Sequence, residues 1–169
     1  MTEDQVVDGR QPTVWIRERG EYLLCELENR SLCAWIRERI APVRLLRAIA
    51  VRAGETISEA DAHQETADYL MLDSGAKGLP VLGASGETHD WSVARTVVER
   101  SRIPVILAGG LSADNVAQAI AAVRPWGVDS FTHTDVPGNR GKKDPPRVRA
   151  FIAAALRGFA DMIESPERR

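Results

Sequence analysis

Residues 103–123, IPVILAGGLSADNVAQAIAAV, decide the fold class. The first six form a short apolar run rich in β-branched side chains, which is typical of a buried strand in a parallel sheet. A helix is predicted after Ser112, its N-cap, because Val116, Ile120 and Val123 recur at helical spacing and Pro125 stops the pattern. The stretch therefore predicts one strand-to-helix unit of an α/β protein.

The glycine pair Gly109-Gly110 joins this strand to this helix. Without side chains, backbone N–H groups at such a junction can approach an anion closely, and the N-terminus of the next helix favours negative charge. A tight strand-to-helix turn uses glycines in the same way. On this stretch alone, a phosphate cradle and a purely structural turn are equally good interpretations.

Strands and helices alternate along the chain from Arg44 onward. The predicted elements are strand 44–51, helix 58–65 capped by Ser58, strand 68–72 ending in Asp73, a helix from Trp91 capped by Asp90, strand 103–108, the helix capped by Ser112, strand 127–131 and a helix from Pro145 capped by Asp144. Repeated strand–helix units imply a parallel sheet with right-handed crossovers. Such sheets bind ligands at the carboxyl ends of their strands, so Asp73, the glycine pair and the segment after Asp129 are expected at one edge.

Apolar periodicity predicts which side of each helix packs inward. In the final helix the predicted inward residues are Val148, Phe151, Ile152, Ala155, Leu156 and Phe159. Near the N-terminus, 13–17 and 22–27 predict strands, and 31–40 predicts a helix with Leu32, Trp35, Ile36 and Ile40 inward. We predict one domain over 1–169, made of a divergent segment 1–43, a βα-repeat portion 44–163 and a tail 164–169.

The composition is that of an ordinary globular chain of 169 residues, 44% hydrophobic and 27% charged. A net charge of −2 gives no electrostatic reason to expect a nucleic acid or an anionic membrane as partner. The basic cluster at 140–143 is interpreted as a solvated loop, with attraction of a phosphate as the alternative. No apolar run is long enough to span a membrane and the first residues lack signal-peptide features, so a cytoplasmic location is expected.

Cysteine and histidine give no metal signal. Cys25 and Cys33 lie eight residues apart, which matches no zinc or dithiol motif, so both are expected to be reduced, with one or both in the core. His63, His89 and His133 are scattered along the sequence. No metal site is predicted, and His89 is interpreted as an ordinary loop residue rather than a pocket residue.

Asp73 and Asp129 are the carboxylates best placed for chemistry. Asp73 ends an apolar strand on the predicted ligand side, where partial desolvation can raise the pKa of a carboxyl group and suit it to general-acid catalysis. A loop-tying or helix-capping role is the commoner one for a single Asp. Asp129 lies just inside a predicted strand, so a structural role is at least as good an interpretation as a place in the site.

Four ordered motifs closely resemble the phosphoribosylanthranilate isomerase family. They are LMLD at 70–73, GASGETHDW at 83–91, LAGGLSADNV at 107–116 and VRPWGVD at 123–129, and GKKD at 141–144 also fits. The resemblance covers about 66–159 and extends more weakly back to about Tyr22. It implies a parallel (β/α)₈ barrel of the TIM type.

The resemblance also implies a reaction, the Amadori rearrangement of N-(5-phosphoribosyl)anthranilate in tryptophan biosynthesis, with no cofactor and no metal. A general acid protonates the ribose ring oxygen, a general base takes the C2′ proton, and the resulting enolamine becomes a ketone. By resemblance, Asp73 is the general acid and Gly109 and Gly110 bind the phosphate. Asp129 is the further expected substrate-binding residue.

The chain departs from the family at three places. It lacks the N-terminal Lys-x-Cys-Gly motif that carries the family's base, and the first two strands with it. Residues 131–134, FTHT, replace the Ser-Ser-Gly that forms half of the family's phosphate cradle. Residues 24–27, LCEL, align with the Gln-Leu-His-Gly that the family has in its fourth strand. This alignment would bring Cys25 near the site, although packing in the core explains a cysteine in a strand more simply. We therefore expect an N-terminally truncated barrel of about five or six of the eight βα units.

Three functions follow as hypotheses. The first is a phosphoribosylanthranilate isomerase, with full or impaired activity. The second is a non-catalytic remnant that binds a phosphosugar or serves as a partner subunit, and the third is another phosphosugar isomerase or lyase on the same scaffold. Missing units would leave open barrel edges, which either the segment 1–21 could fold over or a homodimer could cover. The homodimer is the hypothesis that follows from the missing strands.

Overall fold

The computed structural model describes residues 14–16, 22–25, 29–52, 54–74 and 91–164. These form, in chain order, β1 (Val14–Ile16), β2 (Tyr22–Cys25), α1 (Arg30–Ile40), β3 (Arg44–Val51), α2 (Thr56–His63), β4 (Tyr69–Ser74), α3 (Trp91–Arg100), β5 (Val105–Leu107), α4 (Val116–Val123), β6 (Gly127–Val128), a 3₁₀ turn (Thr132–Thr134), β7 (Asp135–Val136), β8 (Asn139–Lys143) and α5 (Pro145–Glu164).

Six strands form one sheet in the order β1-β2-β3-β4-β5-β6. β1 is antiparallel to β2, and all the other neighbouring pairs are parallel. A helix follows each parallel strand, so the described chain contains five βα units, from β2-α1 to β6-α5. The predicted parallel α/β fold is confirmed. The antiparallel hairpin β7-β8, between β6 and α5, is not predicted by the sequence pattern.

Side chains alternate between the two faces of this sheet. On one face Leu72 and Leu107 pack in a core with α3, α4 and α5. A smaller cluster on the same face joins Cys33 of α1 to Leu45 of β3, and Cys33 is a fully buried free thiol, as expected. Asp73 follows Leu72 and therefore lies on the opposite face, which is the inner face in a barrel of parallel strands.

Two predicted helix caps are wrong. α2 begins at Thr56, and the Ser58 hydroxyl donates to the Glu55 carbonyl at 2.9 Å instead of capping the helix. α4 begins at Val116 with Asn115 at the N-cap position. Ser112 caps only the turn before it, where its Oγ accepts from the Asp114 N–H at 3.2 Å. The Asp90 cap lies outside the described residues.

Two predicted helix faces are partly wrong, because an apolar pattern does not fix how the helix is rotated on the core. Trp35 of α1 is 50% exposed, with the Arg39 guanidinium 4.2 Å from its ring centroid. In α5, Ile152 and Leu156 are exposed, whereas Gly158 is buried against α4. A Cβ at Gly158 would lie 2.9 Å from the Ala117 Cα, so glycine permits the close approach of the two helices.

Asp68 ties the amino ends of β3 and β4 together. Its Oδ1 accepts from Arg37 at 2.9 Å and lies 3.5 Å from Arg44, while its Oδ2 accepts from the Leu45 N–H at 2.9 Å. Burial alone would raise the pKa of Asp68, but the Leu45 N–H and the two arginines outweigh it and hold this pKa below the ordinary value of 3.8. The ionised carboxylate therefore stabilises this end of the sheet.

None of the helices in the described part of the chain is long and apolar enough to cross a membrane.

The predicted N-terminal segment 1–43 contains β1, β2 and α1, yet β2 pairs with β3 in the main sheet. The division of the chain at residues 43 and 163 stays a prediction, and 165–169 lie outside the described residues.

Candidate functional site

The carboxyl ends of β4, β5 and β6 meet at one edge of the sheet. The register pairs Leu72 with Leu107, and Leu107 with Val128. Asp73 and Asp129, each one residue further on, therefore lie at the same level with β5 between them. Two strand spacings, roughly 10 Å, separate their backbones. The edge carries the residues that the sequence analysis selected.

Asp73 is buried at the end of β4, with 8% of its surface exposed. The hydroxyl of Ser74, which is also buried, donates to Asp73 Oδ1 at 3.4 Å. A buried carboxyl at a strand end, shielded from bulk water, is suitable for proton transfer to a bound ligand. Ser74 was not selected from the sequence, where nothing distinguishes it from other serines.

Gly109 packs directly against the end of β4. Its φ is +86°, and a Cβ at this position would lie 2.5 Å from the Ser74 backbone nitrogen. The Ala108 N–H donates to the Leu72 carbonyl at 2.7 Å just before it. Glycine is thus required at 109 both by conformation and by space, and it brings the β5–α4 turn within contact of the residue next to Asp73.

The turn after Gly109 presents backbone donors. Gly110 also has a positive φ, +63°, and within the described ranges the N–H groups of Gly109 and Gly110 donate to no protein acceptor. Asn115 holds the turn in shape, since its Nδ2 donates to the Gly110 carbonyl at 3.0 Å and its Oδ1 accepts from the Ser112 N–H at 2.8 Å. Consecutive left-handed residues ahead of a helix form a concave arrangement suited to an anion.

The segment after β6 is tied to this turn. β6 ends at Val128, and the predicted strand over 127–131 is therefore too long. The Asp129 N–H donates to the Leu107 carbonyl at 2.9 Å, and the Ser130 hydroxyl donates to the Leu111 carbonyl at 2.6 Å. The second bond draws the chain toward the glycine turn, so Ser130 connects the two loops expected to hold a phosphate.

Lys143 fixes the far end of the same segment. Its Nζ donates to the Phe131 carbonyl at 2.7 Å and to Thr134 Oγ1 at 3.0 Å, and it lies 2.8 Å from Asp135 Oδ1. The Lys143 hydrogen bond and the Gly141 N–H hold the pKa of Asp135 below its usual range. The cluster at 140–143 is exposed, as predicted, but it is not a loop, because these residues belong to β8 and Lys143 binds its own chain.

Asn115 and Lys143 were both missed by the sequence analysis. Asn115 directly precedes the apolar helical repeat, where Asn is a preferred N-cap, but its side chain bonds back to the glycine turn and does not cap α4. Lys143 had none, because its three partners lie eight to twelve residues earlier and meet it only through the β7-β8 hairpin.

Other candidates lie away from this edge. Cys25 pairs in register with Arg47, while Asp73 pairs with Ala50, three residues further along β3. Cys25 is therefore about 10 Å short of the Asp73 level along the strands. His89 lies outside the described residues. Among the residues that are described, no group of three His, Cys, Asp or Glu side chains could hold a metal ion.

Fold and site together define a protein of the parallel (β/α) barrel class, with its polar groups at the carboxyl ends of the strands. Residues 33–154 match the family model for N-(5′-phosphoribosyl)anthranilate (PRA) isomerase. The chain belongs to the PRA isomerase family.

Individual relatives agree with this assignment. The chain is 43% identical to N-(5′-phosphoribosyl)anthranilate isomerase of Methanocella arvoryzae over 118 residues, which cover 69% of this chain and 53% of the relative. It superposes with TM-score 0.57 and 28% identity on a PRA isomerase in complex with reduced 1-(o-carboxyphenylamino)-1-deoxyribulose 5-phosphate, over 75% of this chain and 54% of the other.

A second solved structure is of a dimeric phosphoribosylanthranilate isomerase from Thermotoga maritima, in its mutually generated monomeric form. It matches with TM-score 0.56 and 27% identity over 76% of this chain and 56% of its own. The chain spans about half the length of the curated relatives it matches. The likeness therefore covers the five described βα units and not a whole relative.

Proposed function

We propose that this chain carries the phosphate-binding and general-acid half of a PRA isomerase site and catalyses the Amadori rearrangement of N-(5′-phosphoribosyl)anthranilate. The observation that carries the proposal is the contact between the glycine turn and the end of β4. Gly109 packs on Ser74, the neighbour of the buried Asp73, and the N–H groups of Gly109 and Gly110 bond to no acceptor among the described residues. A phosphate and a proton donor are the two things that this substrate needs.

In the proposed reaction the N–H groups of Gly109 and Gly110 bind the phosphate, and Asp129 contributes to substrate binding. Asp73 gives its proton to the ribose ring oxygen, and the bond from C1′ to that oxygen breaks as the anilino nitrogen supplies its electron pair. A base then removes the C2′ proton to give the enolamine, which tautomerises to the 2′-ketone. Atoms balance within one substrate, and no cofactor is required.

A second candidate function is phosphosugar binding without turnover. The observation that favours it is the position of Cys25, which pairs with Arg47 about three residues below the Asp73 level. The pairing of β2 with β3 therefore does not place Cys25 at the strand end where Asp73 lies, so Cys25 is not positioned there as a base. Turnover therefore needs a base for the C2′ proton that the described strands do not supply. Phosphosugar binding needs only the turn at Gly109-Gly110 and the residues around it.

Turnover decides between the two functions. The full chain should restore growth without tryptophan to a strain that lacks the isomerase, and the purified protein should convert the substrate in the fluorescence assay for loss of the anthranilate conjugate. A folded, soluble protein that does neither, while substrate raises its melting temperature, would establish the binding function instead.

The phosphate cradle has a separate test in Gly110→Asp. A carboxylate at Gly110 would repel the phosphate, and Asp tolerates a left-handed φ better than most residues do. We expect inorganic phosphate to raise the melting temperature of the parent protein and to leave that of the variant unchanged. An equal shift in both proteins would mean that the phosphate binds elsewhere.

We also propose that the protein forms a homodimer that covers its open sheet edges, and that it works in the cytoplasm on a phosphorylated small molecule. The dimer is supported by β6, which pairs with β5 alone in the described sheet. Sedimentation velocity of the full chain tests it, and a monomer at every concentration would remove it.

A further inference from the structure

Ser74 lies between the candidate acid and the glycine turn. Its hydroxyl donates to Asp73 Oδ1 at 3.4 Å, and both its backbone and its side chain contact Gly109 at the end of the neighbouring strand. A Cβ at Gly109 would lie 2.8 Å from the Ser74 Oγ. Only 6% of the Ser74 surface is exposed, so packing holds this residue in place. The reaction proposed above uses both of its neighbours and gives the Ser74 hydroxyl no role.

The same hydroxyl is within reach of an anion bound at the turn. From the 2.8 Å contact, the Ser74 Oγ lies no more than about 5.5 Å from the Gly109 nitrogen, given standard backbone dimensions. A phosphate oxygen accepts from an N–H at about 2.9 Å and from a hydroxyl at about 2.7 Å, so one phosphate group can bridge that distance. With a ligand bound, Ser74 has two acceptors to choose from, the Asp73 carboxylate and the anion.

We propose that Ser74 is a positioning residue that links anion binding at the glycine turn to the protonation of Asp73. A serine hydroxyl has one proton and donates it to one acceptor at a time. Without a ligand it donates to Asp73 and thereby favours the ionised carboxylate. When a phosphate binds at Gly109 and Gly110, the hydroxyl turns to the phosphate and Asp73 loses this donor.

Two changes that accompany binding then raise the pKa of Asp73. The carboxylate loses a hydrogen bond that stabilises its charge, and the bound anion adds negative charge nearby. Asp73 takes up one proton from solvent, and this is the proton that a general acid must hold before it can give it to the ring oxygen. Phosphate binding therefore prepares the acid. The inference rests on the proposed function and assigns the regulation of that site to Ser74.

The charged groups around Asp73 are the same with and without the Ser74 hydroxyl. Ala50 pairs with Asp73 in register and carries no charge. The loops that follow β3, β5 and β6 carry these described titratable residues: Arg52, Glu55, Asp114, Asp129 and His133. Lys143 and Asp135 of the hairpin form an ion pair with each other. A substitution confined to Ser74 leaves all of them in place, so its effect on Asp73 reports the hydroxyl.

The test follows the carboxyl group of Asp73 directly. Carbon-13 NMR titrations of the full chain give the pKa of Asp73, with the signal assigned by its loss in Asp73→Asn, in the presence and absence of saturating sulfate. Sulfate replaces phosphate because it stays a dianion over the range in which carboxyl groups titrate. We expect sulfate to raise the pKa of Asp73 in the parent protein. Ser74→Ala should raise this pKa without sulfate, and sulfate should then add less.

Ser101→Ala is the matched control. The Ser101 hydroxyl is half-buried and donates to the Ile103 carbonyl at 2.7 Å, ahead of β5 and therefore at the amino end of the sheet. Loss of one hydroxyl there should leave the pKa of Asp73 at the parent value, both with and without sulfate. Thermal unfolding of each variant shows that it is folded.

Turnover gives a second measurement, because Ser74→Ala also removes a donor to the phosphate. KM should rise about threefold to tenfold, as expected for one hydrogen bond, while kcat changes by about twofold or less. A purely structural role of Ser74 would instead lower kcat together with stability and would not move the pKa of Asp73.

Three results would overturn the inference. They are a pKa of Asp73 that Ser74→Ala leaves unchanged, a sulfate-induced rise of equal size in both proteins, and a parent protein whose Asp73 does not respond to sulfate. Failure of the proposed function has a different signature. A protein without turnover, in which sulfate and Ser74 still control the pKa of Asp73, would keep the coupling and lose the isomerase activity.

Discussion

Strand β4 is flanked by two aspartates that the fold uses in opposite ways. Asp68, at its amino end, is held by Arg37, Arg44 and the Leu45 N–H, which tie two strands and a helix together. Asp73, at its carboxyl end, has the Ser74 hydroxyl beside it and lies next to the glycine turn. The same residue type is a structural tie at one end and a candidate acid at the other.

The difference shows that the two ends of a parallel strand serve different purposes, stability at the amino end and function at the carboxyl end. Loops at the amino ends are short and their polar groups bind each other, so a carboxylate there lowers the energy of the fold. Loops at the carboxyl ends hold backbone donors in positions that only glycine permits. The following predictions test this separation.

Asp73→Asn should have the largest effect on activity. The amide keeps the shape of the carboxyl but cannot donate a proton to the ring oxygen, so turnover should fall by about 10²–10⁴-fold. The melting temperature should change little, because the amide fills the same space and can still accept from the Ser74 hydroxyl. Turnover and thermal unfolding measured on the same preparation check both parts, and a variant with parent turnover would remove Asp73 from the mechanism.

Gly109→Ala should have the largest effect on stability at the carboxyl edge. Its methyl group would lie 2.5 Å from the Ser74 nitrogen at a φ of +86°, so we expect a loss of about 3 kcal/mol or more and no phosphate shift. Gly138→Ala is the control, since Gly138 has a φ of +74° with nothing within 4 Å, and should cost only about 1 kcal/mol. Equal losses in urea unfolding would exclude the contact with Ser74 as the cause.

Asp68→Asn should lower stability by about 1–3 kcal/mol at neutral pH while leaving phosphate binding unchanged. Because the folded-state pKa of Asp68 is lowered, its contribution is fully present above the ordinary value of 3.8 and is lost as the pH falls through the folded value. Stability should therefore decline less steeply with acid in the variant. Urea unfolding from neutral to acid pH measures this, with the exposed Asp114→Asn as control.

Lys143→Met should have the smallest effect of the four. Loss of its bonds to the segment after β6 should weaken phosphate binding by about threefold to tenfold, since each bond contributes only about 1 kcal/mol. It should also raise the pKa of Asp135 toward its usual range, because Lys143 is the main cause of the lowered value. Thermal shifts with phosphate and an NMR titration of Asp135 check it, and the exposed neighbour Lys142→Met should change neither.

Much of the fold was predictable because it follows from the spacing of apolar residues along short stretches of the sequence. β3 was predicted residue for residue at 44–51, and the helical repeat of Val116, Ile120 and Val123 matches α4, although its N-cap was predicted at Ser112. An apolar run and a 3.6-residue repeat each depend on the chain's own pattern. The strand-end site was predictable for the same reason. Parallel strands share one carboxyl edge, so the order of elements alone predicts that Asp73 and the glycine turn lie together.

The errors occur where distant residues decide. β6 ends at Val128, and two residues later Ser130 bonds to Leu111, nineteen residues earlier in the chain. Lys143 meets its partners through the β7-β8 hairpin, whose pairing brings Asp135 beside Lys143. The inward face of α5 was misjudged because small residues, with Gly158 among them, pack on α4 while the larger Ile152 and Leu156 remain outside.

The sequence by itself determined the alternation of strand and helix, the parallel sheet, and the edge at which Asp73 and Gly109 lie, since these follow from side-chain periodicity and chain order. Only the tertiary structure decided which Asp ties two strands together and which lies beside the glycine turn, what holds that turn, and which side of α5 stays exposed. The physical reason is that hydrogen bonds and close packing act between atoms adjacent in space, and adjacency in space is created by folding.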